Sequence, residues 1–400
     1  MRRRFVTAHA GARDQYQLSL ALFEEGLLGE LVTDFYAPDL LFRHWPDKIG
    51  KRYCPGLTSS AVSQSFPAML SAFRMKFGHS FHLNIEKDRH ISKTAYHKAK
   101  RSRAHLFLYS YYAFQAFHAA MKEEPDMQRL LFQLHPHPYT IQKLLREELE
   151  LVPQARNSIM YENEMQYPEN YLHKLAEESA MATGIMVASE YTKRTLVENG
   201  IDHQKVFVNS YGIDPAVYPA RNSMPANRKL TIAFVGSMVQ RKGLSYLFEA
   251  VRLAGSSHFA VRLFGRGFID RELIAHYSDL DLQVNEGLDQ ADVVSSLHRS
   301  DVFVLPSLTE GFAQVILEAM SAGLPVITTT NTCGPDVIKE GQEGFLMAIR
   351  DVEGLAGRLS WCLENREQLY NMGEKAAVKA HTFSWKAFRM RAADYTRQYI

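Results

Sequence analysis

The feature that most narrows the fold is an alternation running through the chain: a short apolar run, a loop, then a helical stretch, many times over. Parallel α/β units read this way, because each strand needs a crossover helix before the next strand can lie beside it. In the first half, residues 5–8 lead through a turn at Gly11 into an amphipathic stretch over 15–25. Further strands are predicted over 105–109, 129–134 and 184–188, each followed by helical sequence. Residues 38–81 are rich in Pro, Gly, Ser and aromatics with weak periodicity, so loops and at least one helix are expected there. From 230 the alternation is clean, with strands predicted at 230–235, 259–264, 282–285, 302–305 and 325–328 and helices at 244–253, 291–298 and 315–322. Runs such as TIAFVG and DVFVLP are apolar on both faces, as strands covered by helices on both sides must be.

The alternation breaks at 215–228, where PAVYPARNSMPANR sets three prolines among polar residues and disfavours helix and strand alike. This stretch is expected to link two domains, 1–218 and 228–383. A chain of 400 residues, 46% hydrophobic, exceeds one ordinary core, which agrees with that division. The expected class is therefore α/β, two Rossmann-like doubly wound domains facing across a cleft. A formal net charge of +2 gives no global electrostatic case for nucleic acid. Three scattered cysteines, Cys54, Cys333 and Cys362, build neither a disulfide framework nor a cysteine-rich zinc site, and fit a reducing, cytoplasmic compartment. No run reaches the roughly 18 apolar residues that a membrane span needs. No HxxxH or HExxH spacing and no Asp-x-Asp after a strand occurs, so no metal is expected.

In doubly wound sheets ligands bind beyond the carboxyl ends of the strands, which directs attention to the loops after 235, 264, 305 and 328. The densest cluster there is PSLTEGFAQVILEAMSAGLPVI, residues 306–327. Glu310 falls in a loop after a buried strand, and Glu318 lies eight residues on, in the next helix. Free N–H groups at that helix start favour a phosphate, while Glu318 can reach back to a hydroxyl-rich portion of the same ligand. Taken alone, the pair reads equally well as a helix N-terminal acid and a solvated helix residue. A lysine at a helix start beside a glycine turn, Lys242 in Arg-Lys-Gly, is a phosphate ligand by charge and dipole, or an exposed lysine.

Pro-Ser-x-x-Glu-Gly-Phe followed by Leu-Glu-Ala-Met-Ser-Ala-Gly-Leu-Pro-Val-Ile resembles the E-x7-E signature of retaining glycosyltransferases of the GT-B fold, specifically glycosyltransferase family 4. The resemblance covers most of the second half. FVGSMVQRKGLSYLFEAV is similar to the family's first strand, glycine turn (Gly236) and Lys-Gly helix start, VRLFGRG to its Gly-x-Gly loop, and VASEYTKRTLVENGID with KVFVNSYGID to the end of its amino-terminal domain. The resemblance implies that Glu318 holds the donor ribose, that Glu310 and the amides of Gly311, Phe312 and Ala313 sit at the donor sugar and phosphate, and that Lys242 pairs with the diphosphate. Two departures stand out. Ser237 occupies a position where the family often has arginine, and Ala313 one where it often has glycine; Arg241 or Arg266 is the candidate replacement for the missing phosphate contact.

In LLFQLHPHP, His135 follows an apolar strand where the family commonly carries a histidine facing the donor sugar; a histidine there is otherwise ordinary hydrogen-bonded structure. Gly11 lets backbone approach the donor phosphates, and Arg13, Asp14 and Tyr16 would face the acceptor, although an ordinary turn explains them as well. The segment 87–103, KDRHISKTAYHKAKRSR, is basic with one acid, Asp88, and reads as peripheral contact with an anionic membrane, as an acceptor-phosphate surface or as a solvated helix. The closing FSWKAFRMRAADYTRQYI (383–400) resembles the family's last helix, which crosses back to the first domain, with Trp385 and Tyr395 packed at the crossing.

The implied activity is transfer, with retention, of a sugar from a nucleotide sugar, UDP- or GDP-linked, to a glycan, lipid-linked or small-molecule acceptor. It needs no further cofactor. The setting implied is polysaccharide assembly in the cytoplasm or at the inner membrane face. The rivals are a nucleotide-sugar epimerase, a phosphorylase, for which the chain is too short, and a donor-binding scaffold whose site has decayed at Ser237 and Ala313. An NAD enzyme would need a GxGxxG with a downstream acid after a strand, which is missing.

Overall fold

The computed structural model describes residues 4–38, 50–75, 81–226, 228–265 and 267–400. Two parallel sheets carry the architecture. The first holds seven strands, β1 (Phe5–Ala8), β2 (Leu28–Thr33), β3 (Val62–Gln64), β4 (His105–Tyr109), β5 (Arg129–Gln133), β6 (Gly184–Val187) and β7 (Val206–Val208), in the order β3-β2-β1-β4-β5-β6-β7. The second holds β8 (Leu230–Val235), β9 (Phe259–Gly265), β10 (Leu282–Glu286), β11 (Val302–Leu305), β12 (Val326–Thr329) and β13 (Gly344–Met347), in the order β10-β9-β8-β11-β12-β13. Both orders reverse direction at the first strand of their sheet, between β1 and β4 and between β8 and β11. These are the topological switch points where crevices open beyond the strand ends.

Each sheet is covered on both faces by helices, so β1, β4 and β11 are buried along their whole length. The second core contains the strands of its own sheet together with Ile141 and Leu145 of the helix Pro138–Leu151, which belongs to the first half of the chain. The first core takes in Phe388, Ala392 and Tyr395 of the terminal helix Trp385–Arg397. That helix crosses back as the resemblance implies: Trp385 packs on Tyr211 with ring centroids 5.5 Å apart, and Tyr395 stacks on Phe207 at 4.9 Å. The described residues of the linker stretch carry no helix or strand, and Arg221 among them donates to the Ser300 carbonyl at 2.5 Å.

Candidate active site between the two sheets

The loops that follow β1, β4, β5, β8 and β11 converge where the two sheets face each other. Of these, the β11 loop comes closest to the opposite domain. A side-chain carbon at Gly311 would lie 1.8 Å from the Leu134 carbonyl oxygen and 3.4 Å from the His135 Cα, so only glycine fits between the domains there. The Gly311 carbonyl accepts hydrogen bonds from Ser189 Oγ (2.5 Å) and Thr192 Oγ1 (2.9 Å). Ser189 has a second task, since its oxygen also caps the helix Glu190–Glu198 by accepting from the Thr192 amide.

Beside this contact stand Glu310, Arg241, Lys242 and His135. Glu310 Oε1 is 2.6 Å from Lys242 Nζ and 2.7 Å from Arg241 Nη1, while Arg241 Nε reaches Glu162 of the first domain at 3.0 Å. Burial alone would raise the Glu310 carboxyl, but Arg241 and Lys242 outweigh it and hold it below the ordinary range. The buried Lys242 ammonium is lowered by desolvation despite Glu310. His135 is lowered to about 3, first by burial and then by the charges of Arg13 and Arg241, so the imidazole is neutral at physiological pH. Its ring meets the Tyr111 ring edge-on at 5.3 Å. A cavity of about 260 Å³ opens between the domains at this point, bounded by His135, Glu310, Gly311 and Arg241 on one side and by Arg13, Tyr112 and Asp88 on the other.

A second cavity of about 740 Å³ lies along the second sheet and is bounded by Gly236, Ser237, Gly265, Leu288, Val293 and Glu318. Glu318 is raised to about 7 by burial, with the Tyr218 hydroxyl beside it pulling the other way. Lys242 stands between a residue of each cavity, because a side-chain carbon on Gly236 would lie 3.6 Å from its Cε while its Nζ holds Glu310. The residues of the second half thus divide between a long groove (Gly236, Ser237, Glu318) and a compact charged cavity (Glu310, Gly311, Arg241). Phe312 is buried against Tyr211 at 5.0 Å and supports the loop from behind. Ala313 adopts the left-handed conformation (φ 64°) at the start of the helix Gln314–Ser321, the conformation for which glycine is the usual solution. The helix therefore begins in the geometry that a glycine there would give. Arg266 lies outside the described residues.

The first half departs from expectation in the turn after β1. Asp14 and Tyr16 do not face the cleft. Asp14, Gln15 and Tyr16 all have positive φ (40°, 53° and 64°), and this left-handed turn sends Tyr16 into the core and Asp14 onto Tyr109 Oη at 2.9 Å; Arg13 alone points into the cavity. His137, two residues beyond His135, is buried and donates its amide to Thr195 Oγ1 at 3.0 Å. The basic stretch 87–103 lies in one helix, Phe81–Ser102, and is two-faced: Lys87 and Asp88 line the interdomain cavity, while Arg89, Lys93, His97 and Arg101 are exposed. Gly11, with φ 73°, donates its amide to Asp34 Oδ1 at 2.9 Å and borders a side cavity of about 310 Å³ shared with Arg13, Arg52 and Lys87.

Sequence reasoning missed Tyr111, Glu164 and Glu178. The buried Glu178 carboxylate accepts from the amides of Tyr111, Ala113 and Phe114 at 2.8–2.9 Å, fixing the β4 loop with Tyr111 at φ 76°. Tyr111 Oη then donates to Glu164 Oε1 at 2.8 Å. Non-glycine residues in the left-handed region cost on the order of 1–3 kcal/mol each and gather at functional loops; five of them (Asp14, Gln15, Tyr16, Tyr111 and Ala313) stand in the β1, β4 and β11 loops. Among the described residues no group of three or more His, Cys, Asp or Glu side chains is placed to hold a metal ion.

Residues 229–365, which contain β8 to β13, match the family model described as Glycosyl transferases group 1. The second domain is a group 1 glycosyl transferase domain. Among curated proteins, the chain is 30% identical over 173 residues to the putative colanic acid biosynthesis glycosyltransferase WcaL of Salmonella typhimurium, covering 40% of this chain and 43% of that protein. It is 26% identical over 223 residues to the capsular polysaccharide biosynthesis glycosyltransferase CapM of Staphylococcus aureus (50% and 59%). The chain thus spans about half the length of the curated relatives it matches. Solved structures share the whole fold. Sucrose-phosphate synthase from Thermosynechococcus elongatus superposes with a TM-score of 0.72 at 15% identity over 99% of both chains. Anabaena HepE in complex with UDP gives 0.64 at 14% identity, over 99% of this chain and all of that one. The architecture is GT-B, and the group 1 domain supplies Glu310, Glu318, Lys242 and Arg241 to it.

Proposed function

We propose that the chain is a retaining glycosyltransferase that moves a sugar from a UDP- or GDP-linked donor to a glycan, lipid-linked or small-molecule acceptor in polysaccharide assembly. The observation that carries this reading is the meeting of Glu310, Arg241 and the neutral His135 at one interdomain cavity, with Lys242 bound to Glu310 and lying beside Gly236 of the groove that Glu318 also lines. A groove of about 740 Å³ is of the size that ligand pockets have, and its carboxylate suits the paired hydroxyls of a ribose. Lys242 and Arg241 supply the positive charge that a departing diphosphate needs, without a metal. In this scheme the acceptor attacks from the face the diphosphate leaves, the phosphate oxygen takes its proton, and Glu310 and His135 position the sugar without a covalent intermediate. His135, uncharged, serves as a hydrogen-bonding group. The names of the relatives, colanic acid and capsular polysaccharide glycosyltransferases, support the setting.

The reading includes peripheral contact with an anionic membrane. Its support is the exposed row Arg89, Lys93, His97 and Arg101 together with the neighbouring helix Phe66–Arg74, on which Phe66, Leu70 and Phe73 are exposed at i, i+4 and i+7. Among the described residues no helix is long and apolar enough to cross a membrane. Thermal unfolding against a panel of UDP-, GDP- and ADP-sugars tests donor binding, since a ligand held only by the folded state raises its stability. A shift with one nucleotide class supports the reading; no shift with any of them would remove its basis.

A further inference from the structure

The interdomain cavity has two halves of different character. On the group 1 side every charge is paired: Glu310 with Arg241 and Lys242, and Glu162 with Arg241. Glu164, on the first-domain side, accepts from Tyr111. The rest of the first-domain side is composed differently. Lys87 Nζ stands 3.5 Å from Asp88 Oδ1, and that oxygen, deep in the protein, accepts no hydrogen bond from any described residue. Arg13 makes no ion pair among the described residues, and its guanidinium lies against the Tyr112 hydroxyl. The adjoining side cavity shares Arg13, Lys87 and Tyr112, and its own pair, Arg52 with Asp34, is closed at 2.9 Å. Where the two cavities join, the Arg13 guanidinium therefore stands without a carboxylate at ion-pair distance, next to one Asp88 oxygen that accepts no hydrogen bond.

Resting on the transferase reading above, we infer that this half binds an acceptor sugar bearing an anionic group, a phosphate or a carboxylate, which Arg13 and Lys87 hold while Asp88 accepts from one of its hydroxyls. Guanidinium and ammonium groups beside an anion make charge-assisted hydrogen bonds, and a neutral sugar would leave the Arg13 charge without a partner. The donor diphosphate has its own cations across the cavity in Lys242 and Arg241.

The test follows thermal unfolding of the full chain with and without saturating UDP or GDP, adding glucose 6-phosphate, glucuronate or glucose at equal concentrations. The expected result is a further rise with at least one anionic sugar and none with glucose; the two anionic probes separate phosphate from carboxylate. Arg13→Gln should abolish that rise, and Lys87→Gln should weaken the half-saturating concentration by tenfold or more, with the nucleotide shift intact in both variants. Equal responses to glucose and its anionic relatives would overturn the inference, as would no response to either anionic sugar or one that persists in Arg13→Gln. Loss of the nucleotide shift in Arg13→Gln would also overturn it, by placing Arg13 on the donor side. Failure of the nucleotides to shift the wild type fails the donor reading instead, and the sugar response is still scored without them.

Discussion

Replacing Gly311 by alanine puts one carbon into the narrowest point between the domains. That carbon would start 1.8 Å from the Leu134 carbonyl oxygen, and since side-chain carbons essentially never come within 3.0 Å, the domains must part by about 1.2 Å. Parting them weakens the hydrogen bonds from Ser189 and Thr192 to the Gly311 carbonyl, together about 1–3 kcal/mol at roughly 0.5–1.5 kcal/mol each. It also moves Glu310 away from His135, and a displacement of about 1 Å between reacting groups costs on the order of 10²-fold in rate. The contact sits at the edge of both hydrophobic cores, through Phe312 and Leu134, and Glu318 and Ser237 line a different cavity. Gly311→Ala is therefore expected to fold and to keep the donor-induced rise in melting temperature, while turnover, followed as nucleoside diphosphate release, drops about 10²-fold. Turnover within threefold of wild type would show that the domains need not meet at Gly311 during the reaction and would refute this reasoning.

Two further predictions concern the groove and the surface. With Glu318 raised to about 7, the ionised carboxylate that ribose hydroxyls prefer is a minority form at pH 6 and the main form at pH 8, so donor affinity should be about tenfold tighter at pH 8. Isothermal titration at both pH values checks this, and the difference should vanish in Glu318→Gln; an equal difference in that variant would assign the titration to another group. On the membrane side, co-sedimentation with vesicles of anionic phospholipid should fall at least fivefold in the double variant Leu70→Asp, Lys93→Glu, whereas unchanged sedimentation would remove these helices from the contact.

Much of the second domain was legible because β9, β11 and β12 are buried on both faces over most or all of their length, and only β10 is largely open to solvent among the strands read there. β8 and β11 fall at their predicted limits, and β9, β10 and β12 within one residue of them. The unread strands are of another kind. β3 and β7 have three residues each, β2 carries Gly29 and Glu30 in its middle, and β13 is GFLM, too short for any periodicity. The site follows the same division. Glu310 and Glu318 sit eight residues apart in one motif, whereas Arg13, Lys87, Tyr111 and Glu164 come from four separate segments that only the sheet brings together. Asp14 and Tyr16 were misread for a local reason, because nothing in Asp-Gln-Tyr signals three successive left-handed residues as glycine or asparagine would.

If Glu310 acts at the reacting centre of a donor-binding cleft, Glu310→Ala must separate donor binding from turnover. The variant is expected to keep a donor-induced rise in melting temperature, while release of nucleoside diphosphate from the same nucleotide sugar becomes undetectable. Near-normal turnover by that variant would remove Glu310 from the reacting centre.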